Sequence, residues 1–547
     1  MTCSGQLIDE IIIQSSAPTV AGLRNVPVLA EVVRTLHVTT RPDMVRRFLL
    51  LREGDSCNEL RRAESERILR AQPFLADASI DVVSSAERAG DVDLVVRTSD
   101  EVSVVIGGSV AAGMPPLRAA KFGNANINGL GMYAAADWRY GGPFRTGIGA
   151  KFVDNQFLGR PYTLLIEGHR NPLGSDRIIE AAHPFYTDLQ RVAWRARSGA
   201  KDDYVSFPAE SLGEHALRVD RRYYDVGGII RLGPPGRLSL FGASVTGNDE
   251  RPAFAPVMIT NNGLRPDTSS ELRNRYRQHK IARVNALWGV RDIGFARVHG
   301  FDVLNANQDF PIGFQLGTMF GRSLSVLGSD DDDIFMASDL FLGAGGRRSA
   351  IRLQVVAEGR RSNDENAWDG ILTNAHAVGY AKPSERTTLT GSIEWSAGWR
   401  QRIPFSLTLG NAEGGVRGFG RSRTPGGRRI VARVEDRVFL GRAFNLGDVG
   451  VGAFADAGRL WAGDIPYGMA TPVRSSIGVS LLAAVPSGSA RLWRVDLAFA
   501  LNPEKGGGRL ELHFEGLDKT LFFLREPSDI EAVRERTVPS SVFRWPH

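Results

Sequence analysis

The chain has 547 residues, 42% hydrophobic and 23% charged, so it is too long for one ordinary core and too apolar for a disordered polymer. Its net charge is +6, but the arginines are spread along alternating segments and no fold motif supports nucleic-acid binding, which we exclude. No stretch reaches the roughly 18 apolar residues that a membrane-spanning helix needs, which leaves open a barrel, whose strands need only about 9–11 alternating residues.

Glycine is in excess, at 61 residues against a usual share of about 7%. Short apolar stretches between turn residues point to an all-β sandwich or barrel. Met1 to Gln14 shows no basic n-region, apolar h-region or small-residue cleavage site, so no secretory signal is visible. The expectation is a truncated or misplaced start, or a chain given without its leader. Cys3 and Cys57 allow one disulfide but no framework or metal spacing, and two unpaired thiols is the simpler expectation.

Leu7 to Ile13 is a short β-rich run. Arg41-Pro42 opens a helical stretch with proline in the first turn, Val45, Phe48 and Leu49 form its apolar face, and Gly54 closes it. A second helix is expected from Cys57 to Ala71, capped by Asp55 or Ser56, with Leu60, Ala63, Ile68 and Ala71 facing the core and the charged residues facing water. Strands over Ser79 to Val83 and Asp91 to Arg97 complete a β-α-α-β-β unit over residues 1–100. Within it, TRPDMVRRFLLLREGD and ESERILRAQPFLADASIDV resemble a POTRA (polypeptide-transport-associated) domain over about 60 residues. That resemblance implies a periplasmic module whose sheet edge docks peptides.

From Glu101 the pattern changes to period two. Ile351, Leu353, Val355 and Ala357 alternate with Arg352, Gln354 and Glu358; Trp493, Val495, Leu497, Phe499 and Leu501 alternate with Arg494 and Asp496. Val192, Trp194 and Ala196 alternate with Arg191, Arg195 and Arg197, Val284, Ala286, Trp288 and Val290 with Arg283, Asn285 and Arg291, and Leu510, Leu512 and Phe514 with Glu511, His513 and Glu515. Parity alone does not say which face is outer. Two features favour a membrane barrel: aromatics near strand ends (Trp138, Tyr140, Trp395, Trp399, Trp461, Tyr467), and a run of strands too long for one sandwich. Closure also hides every edge, as lipid demands. Starts near residues 103, 129, 145, 161, 177, 189, 216, 236, 280, 312, 334, 349, 368, 388, 428, 448, 473, 491 and 509 place the barrel over 101–516, with a surface hairpin or extra barrel strands near 216–247.

Residues 410–420 read GNAEGGVRGFG, followed by RRIVARVEDRVFL and VGVGAFADAGRLW. Val416, Arg417, Gly418 and Phe419 followed by a strand bearing Glu435 and then by Phe454, Asp456 and Gly458 resemble the V-R-G-[FY], glutamate-strand and F-x-D-x-G series of the BamA/TamA outer-membrane insertase superfamily. NINGLGMYAAADW, FVDNQFLG and AAHPFYTDLQRVAW match its earlier strands more loosely. The resemblance covers nearly the whole chain and implies an all-β transmembrane barrel of about 16 antiparallel strands, possibly more, behind a small α+β POTRA-like domain. It also implies that the loop bearing Arg417 folds into the lumen. Parity puts Glu435 and Asp456 inward, where two carboxylates suit one guanidinium fork. Asp436 has the parity of the apolar face, where a charge is costly unless it lies near the interface or a bulge shifts the register.

Family barrels usually end on their last strand. Here residues 517–547 follow it, and LDKTLFFLREPSDIEAVRERT is expected to form a short helix. Asp330 to Asp333 lacks the spacing and glycine turn of a calcium loop and reads as a solvated loop. There is no histidine pair at metal spacing, no G-x-S-x-G and no Ser/His pair identifiable on one strand face, so no metal, cofactor or enzyme is expected. The resemblance implies assembly, insertion or translocation of outer-membrane or surface proteins. The partners implied are outer-membrane lipid, nascent or unfolded clients and periplasmic accessory proteins. The alternative is a structural surface barrel or channel with an inward plug loop and no insertase activity.

Overall fold

The computed structural model describes the chain except residues 18–37, 111–116, 142–143, 209–212, 270, 364–365, 411–413, 421, 444–446, 505–507, 518–525 and 535–547. Two sheets organise it. The first belongs to an α+β unit: strand β1 (Ser4–Ser16), a one-turn helix (Pro42–Arg46), β2 (Ser56–Asn58), a helix (Glu59–Arg70), β3 (Leu75–Ser84) and β4 (Val92–Asp100). Strand order is β2-β1-β4-β3, with β1 and β4 parallel. Ile8, Ile11, Phe48, Leu51, Leu69 and Leu94 form its core, joined by Tyr186 from the barrel.

Several local expectations are corrected here. The first helix stops at Arg46, and the turn that follows drops Phe48 and Leu51 into the core; Gly54 (φ +85°) instead serves the turn before β2. Asn58, not Asp55 or Ser56, caps the second helix by accepting from Arg61 N–H, because Ser56 to Asn58 is itself a strand paired to β1. Leu60 (47% exposed) and Ala63 face outward, whereas Glu66 and Arg67 are buried. The charged stripe of this helix does not meet water because it docks on the barrel. Arg70 pairs with Asp309 (2.8 Å), Arg297 with Glu66 (3.1 Å), and Arg67 donates to the Tyr186 carbonyl (2.5 Å). Cys3 and Cys57 are disulfide-bonded, not free, closing β1 onto β2 with Cα atoms 4.9 Å apart.

The second sheet is an antiparallel wall. In chain order its strands are β5 (Val104–Val110), β6 (Leu117–Ile127), β7 (Met132–Arg139), β8 (Gly147–Asp154), β9 (Thr163–Asn171), β10 (Gly174–His183), β11 (Val192–Pro208), β12 (Gly213–Leu232) and β13 (Leu238–Pro252). A hairpin, β14 (Val257–Thr260) and β15 (Gly263–Pro266), is followed by β16 (His279–His299), β17 (Asn307–Ser323), β18 (Asp333–Gly345), β19 (Ser349–Ser362) and β20 (Ala367–Ala381). The wall ends with β21 (Thr387–Trp399), β22 (Arg428–Ala443), β23 (Gly447–Trp461), β24 (Arg474–Ala484), β25 (Leu492–Ala500) and β26 (Leu510–Leu517). Each pairs with its neighbour, and β26 meets β5 to close a barrel of twenty strands, β13 pairing directly with β16 while β14–β15 extends from β12. The sequence starts missed only β6 in this wall. The region near 216–247 is wall, and the surface hairpin is β14–β15.

The two faces of the wall are inverted relative to a water-soluble protein. Outward residues include Ile148, Ile393, Val434, Val479 and Leu481, all more than half exposed. Inward residues include Arg283, Arg417, Arg429 and Arg494, which are among the largest fully buried side chains of the chain. A closed wall with an apolar exterior and an ionic interior is a transmembrane barrel. Trp395 and Trp461 meet with tilted rings on the outer face at the end remote from the α+β unit (5.7 Å), whereas Tyr467 leaves the aromatic girdle and stacks on His215 at the rim (4.1 Å). Asp436 is exposed on the outer face in the middle of β22, paired with Leu389 near the start of β21 and with Ala453 within β23; the bulge at Phe439/Gly441 comes after it, so neither a strand end nor a register shift takes the charge off this face.

The α+β unit lies across the near mouth. Besides the helix contacts, Thr40 accepts from Asn126 (2.8 Å), Met44 accepts from Gln156 (2.9 Å), and Glu101 accepts from Ser489 (2.8 Å), so strands around much of the rim hold it. At its junction with β5, Asp100 is fully buried and accepts from Thr40 N–H (2.7 Å). Burial pushes its carboxyl up to about 6, against that hydrogen bond, and Glu101 adds to the rise. A raised carboxyl pKa means that the folded state holds the proton more tightly. Its stability contribution is therefore complete below the unfolded value of 3.8 and lost as pH rises through about 6. Thermal unfolding of the micelle-held protein should show a loss of about 3 kcal/mol at most between pH 4 and 7 that Asp100→Asn abolishes; an identical pH dependence in the two proteins would contradict this.

Candidate functional site

The segment between β21 and β22 folds back inside the barrel. Its root is fixed by Arg402, which pairs with Asp333 (3.0 Å), Asp369 (2.9 Å) and Asp331 (3.4 Å). The acidic run is thus only in part a solvated loop: Asp330 and Asp332 are exposed, whereas Asp333 is fully buried, hydrogen-bonded to Ser323, and Asp331 also meets His279 (2.8 Å). Two acids of the run serve as anchors because β18 begins there and turns them toward the loop. The middle of the loop pairs Leu407 with Gly426. Residues 411–413 of the glycine-rich stretch lie outside the described residues.

At the tip, Arg417 is buried among carboxylates. Its Nε donates to Asp456 Oδ2 (2.7 Å), its Nη2 to Asp456 Oδ1 (2.8 Å) and its Nη1 to Glu435 Oε2 (2.7 Å). The backbone N–H of Arg417 also donates to Asp456 (3.2 Å). Strands β22 and β23 supply the two acids from inward positions, with Glu435 paired to Phe454 in register. The Phe454 ring lies beneath the guanidinium, 3.5 Å from ring centre to Cζ. Phe454 fits there because its neighbour on β24 is Gly478, where a side chain would strike the ring.

The other motif residues have equally local reasons. Val416 is fully buried and packs on Gly458, where an added Cβ would come within 2.7 Å of Val416 Cγ2. Gly418 has φ +86°, a conformation that glycine adopts freely, and this turns the chain after the arginine. Phe419 joins Phe405, Leu407, Leu409, Val416 and Leu460 in an apolar cluster under the loop. All eight motif residues (Val416, Arg417, Gly418, Phe419, Glu435, Phe454, Asp456 and Gly458) meet in one place.

The structure adds residues to this set. Arg494 on β25 donates to Glu435 (2.9 Å) and pairs with Asp496 (2.9 Å), which also accepts from Ser480 (2.6 Å). Arg433 donates to the carbonyls of Gly414 (2.5 Å) and Gly415 (2.8 Å). Gly420 N–H reaches Glu511 on β26 (3.0 Å), so the loop ties β22, β23, β25 and the last strand together. The inward parity of Arg494 and Asp496 was visible in the alternation; their meeting with Glu435 was not, because it needs the order and register of four strands.

Chemically the site sets Arg417 and Arg494 against Glu435, Asp456 and Asp496, and its described residues offer no nucleophile–base pair. Among the described residues no group of three or more His, Cys, Asp or Glu side chains is placed to hold a metal ion. What the arrangement does is fix a loop in the passage through the wall.

No protein-family model matches the chain, and no curated protein matches it. Solved structures similar to it include BamA from Haemophilus ducreyi lacking POTRA domains 1–3 (14% identity, covering 94% of this chain and 85% of that one, TM-score 0.37). Two CdiB structures are also similar: from Escherichia coli (12% identity, 94% and 76% covered, TM-score 0.45) and from Acinetobacter baumannii (11% identity, 94% and 73% covered, TM-score 0.39).

Proposed function

We propose that the chain is an outer-membrane barrel that inserts or translocates polypeptides, with its α+β unit in the periplasm as the docking module. The observation that carries the reading is the buried Arg417 fork on Asp456 and Glu435, which holds a loop inside a barrel whose near mouth is covered by a sheet-bearing domain. A loop fixed by a buried ionic network narrows the lumen. A machine that must stay sealed until a client arrives needs that narrowing. The strands at the closing seam, β5 and β26, have 7 and 8 residues against 20 in β12 and 21 in β16. The seam lies in the thin arc of the wall, where β7 and β8 are also only 8 residues long, and short strands are held by fewer ladder hydrogen bonds than long ones. Among the described residues no strand pairs with the β3 edge of the small sheet, and an extended client adding there would enter beside the mouth by displacing Arg70, Arg62 and the N-terminal amine from the carbonyls of Ala78, Ile80 and Val82. The disulfide in that unit suits an oxidising compartment.

The test is reconstitution of the full chain in liposomes, followed by the rate at which unfolded client barrels become protease-resistant. Faster acquisition than in empty liposomes supports the proposal. Equal rates, with conductance indifferent to the loop, would leave a surface channel without clients.

A further inference from the structure

Residues 526–534 stand inside the barrel. The chain leaves β26 at Leu517, on the side of the α+β unit, yet Asp529 meets Arg429 on β22 in a two-pronged pair: Oδ2 accepts from Nη1 at 2.6 Å and Oδ1 from Nη2 at 3.1 Å. Arg429 is fully buried in the lumen and also lies near Glu394 (3.4 Å) and the Thr408 carbonyl (2.7 Å). Ile530 is fully buried in the apolar cluster that includes Val416 and Phe419 of the plug loop. Arg534, at the end of the short helix Ser528–Val533, pairs with Glu358 on β19 (3.1 Å), and its carbonyl accepts from Arg221 on β12 (3.5 Å). Pro527 abuts Gly414, where an added Cβ would come within 2.9 Å of the proline ring.

These contacts come from opposite parts of the wall. β12 and β22 lie eight places apart around twenty strands, so the segment crosses the lumen instead of lining one side. Its chemistry is matched end to end: a carboxylate to a buried guanidinium, a branched apolar side chain to a greasy pocket, and a guanidinium to a buried carboxylate. A buried charge that meets its partner in this geometry is far cheaper than one left alone. The wall charges face a lumen that already holds this stretch of polypeptide, so the cradle is an internal site for a short peptide.

We infer that the lumen carries a peptide-binding cradle formed by Arg429, Glu358, Arg221 and the apolar face of the plug loop, and that the chain's own segment 526–534 is its resident ligand. The segment and the plug loop support each other through Ile530 and Pro527, so both occlude the passage. A client segment with a carboxylate followed by a branched apolar residue competes for the same cradle and displaces the tail. That last step rests on the transport reading above; the cradle itself does not.

Planar-bilayer conductance tests it without any client. Three proteins are compared: the full chain, a chain ending at Leu517, and the full chain with Asp529→Arg, which sets two guanidinium groups against each other without altering the wall. The two altered chains should conduct severalfold more than the full chain. A synthetic peptide of residues 526–534 should close the shortened barrel, and the same peptide with Asp529→Arg should not. The reciprocal pair Arg429→Asp with Asp529→Arg should restore the low conductance. Should the shortened chain not fold, as judged by heat-modifiable gel mobility, the Asp529→Arg chain and its reciprocal pair decide alone. Folded barrels with unchanged conductance in Asp529→Arg would overturn the inference. Tail-dependent conductance with no acceleration of client insertion would instead overturn transport and leave the cradle standing.

Discussion

Arg417→Ala is expected to destabilise the barrel by about 3–5 kcal/mol, because it leaves Asp456 and Glu435 buried around an empty site. Arg494 remains beside Glu435 at 2.9 Å, but Asp456 loses its two-pronged partner and the Phe454 ring loses the cation above it. The loop then has no anchor at its tip, while Arg402 still holds its root. The measurements are the temperature at which heat-modifiable mobility is lost and the conductance of the reconstituted protein. We expect a lower transition temperature, and more frequent openings as the tip leaves the lumen. Removing the partner as well, in Arg417→Ala with Asp456→Ala, should cost less than the sum of the two single changes, since the second change relieves the uncompensated acid. Arg417→Lys keeps the charge and loses the fork, so it should fall between. Conductance and transition temperature both unmoved by Arg417→Ala would show that the pairing has no part in sealing the barrel.

How far this site could be read in advance follows from where each part of it is encoded. Glu435 and Asp456 lie on strands with strict alternation, and parity alone turns them inward; Arg417 lies between glycines that allow a sharp return. The two acids were legible because the parity rule that places them is local; the return of Arg417 into the lumen was implied by the resemblance to the insertase superfamily, and the glycines only permit it. The helix Glu59–Arg70 was misread for the opposite reason. Its apolar spacing at Leu60 and Ala63 is real, but Arg70 and Glu66 find Asp309 and Arg297 more than two hundred residues away, and these long-range ion pairs turn the helix so that its charged stripe is covered. In the acidic run, Asp330 and Asp332 are exposed as a solvated loop requires, but Asp331 and Asp333 escape that reading because nothing near them in sequence announces Arg402. The tail carries a helical pattern, so a short helix was foreseeable, whereas its place in the lumen depends on Arg429, Glu358 and Arg221 from three distant strands. Strand number fell between these cases. Period two marks each strand, but the β6 segment alternates weakly, with Ala119 and Ala120 adjacent and Gly123 inside it, so composition hid it.

The orientation of the wall is what gives Arg417 and Arg429 their meaning, and a single residue on the outer face examines it. Val479 sits in the middle of β24, 56% exposed, paired with Ala453 and Leu497 on the adjacent strands. If this face meets water, Val479→Arg is a surface change and should move stability by no more than about 0.5 kcal/mol. If it meets hydrocarbon, a guanidinium near the midplane should cost about 2–4 kcal/mol. We expect the second result in denaturant titration of protein folded into phospholipid vesicles, with Val479→Leu neutral as the control. The same arginine placed at Leu510, at the start of β26, should cost less, because the penalty falls away toward the interface. A flat response across both positions would mean that lipid does not touch this face, and the buried arginines would then have to be explained as the core of some other kind of barrel.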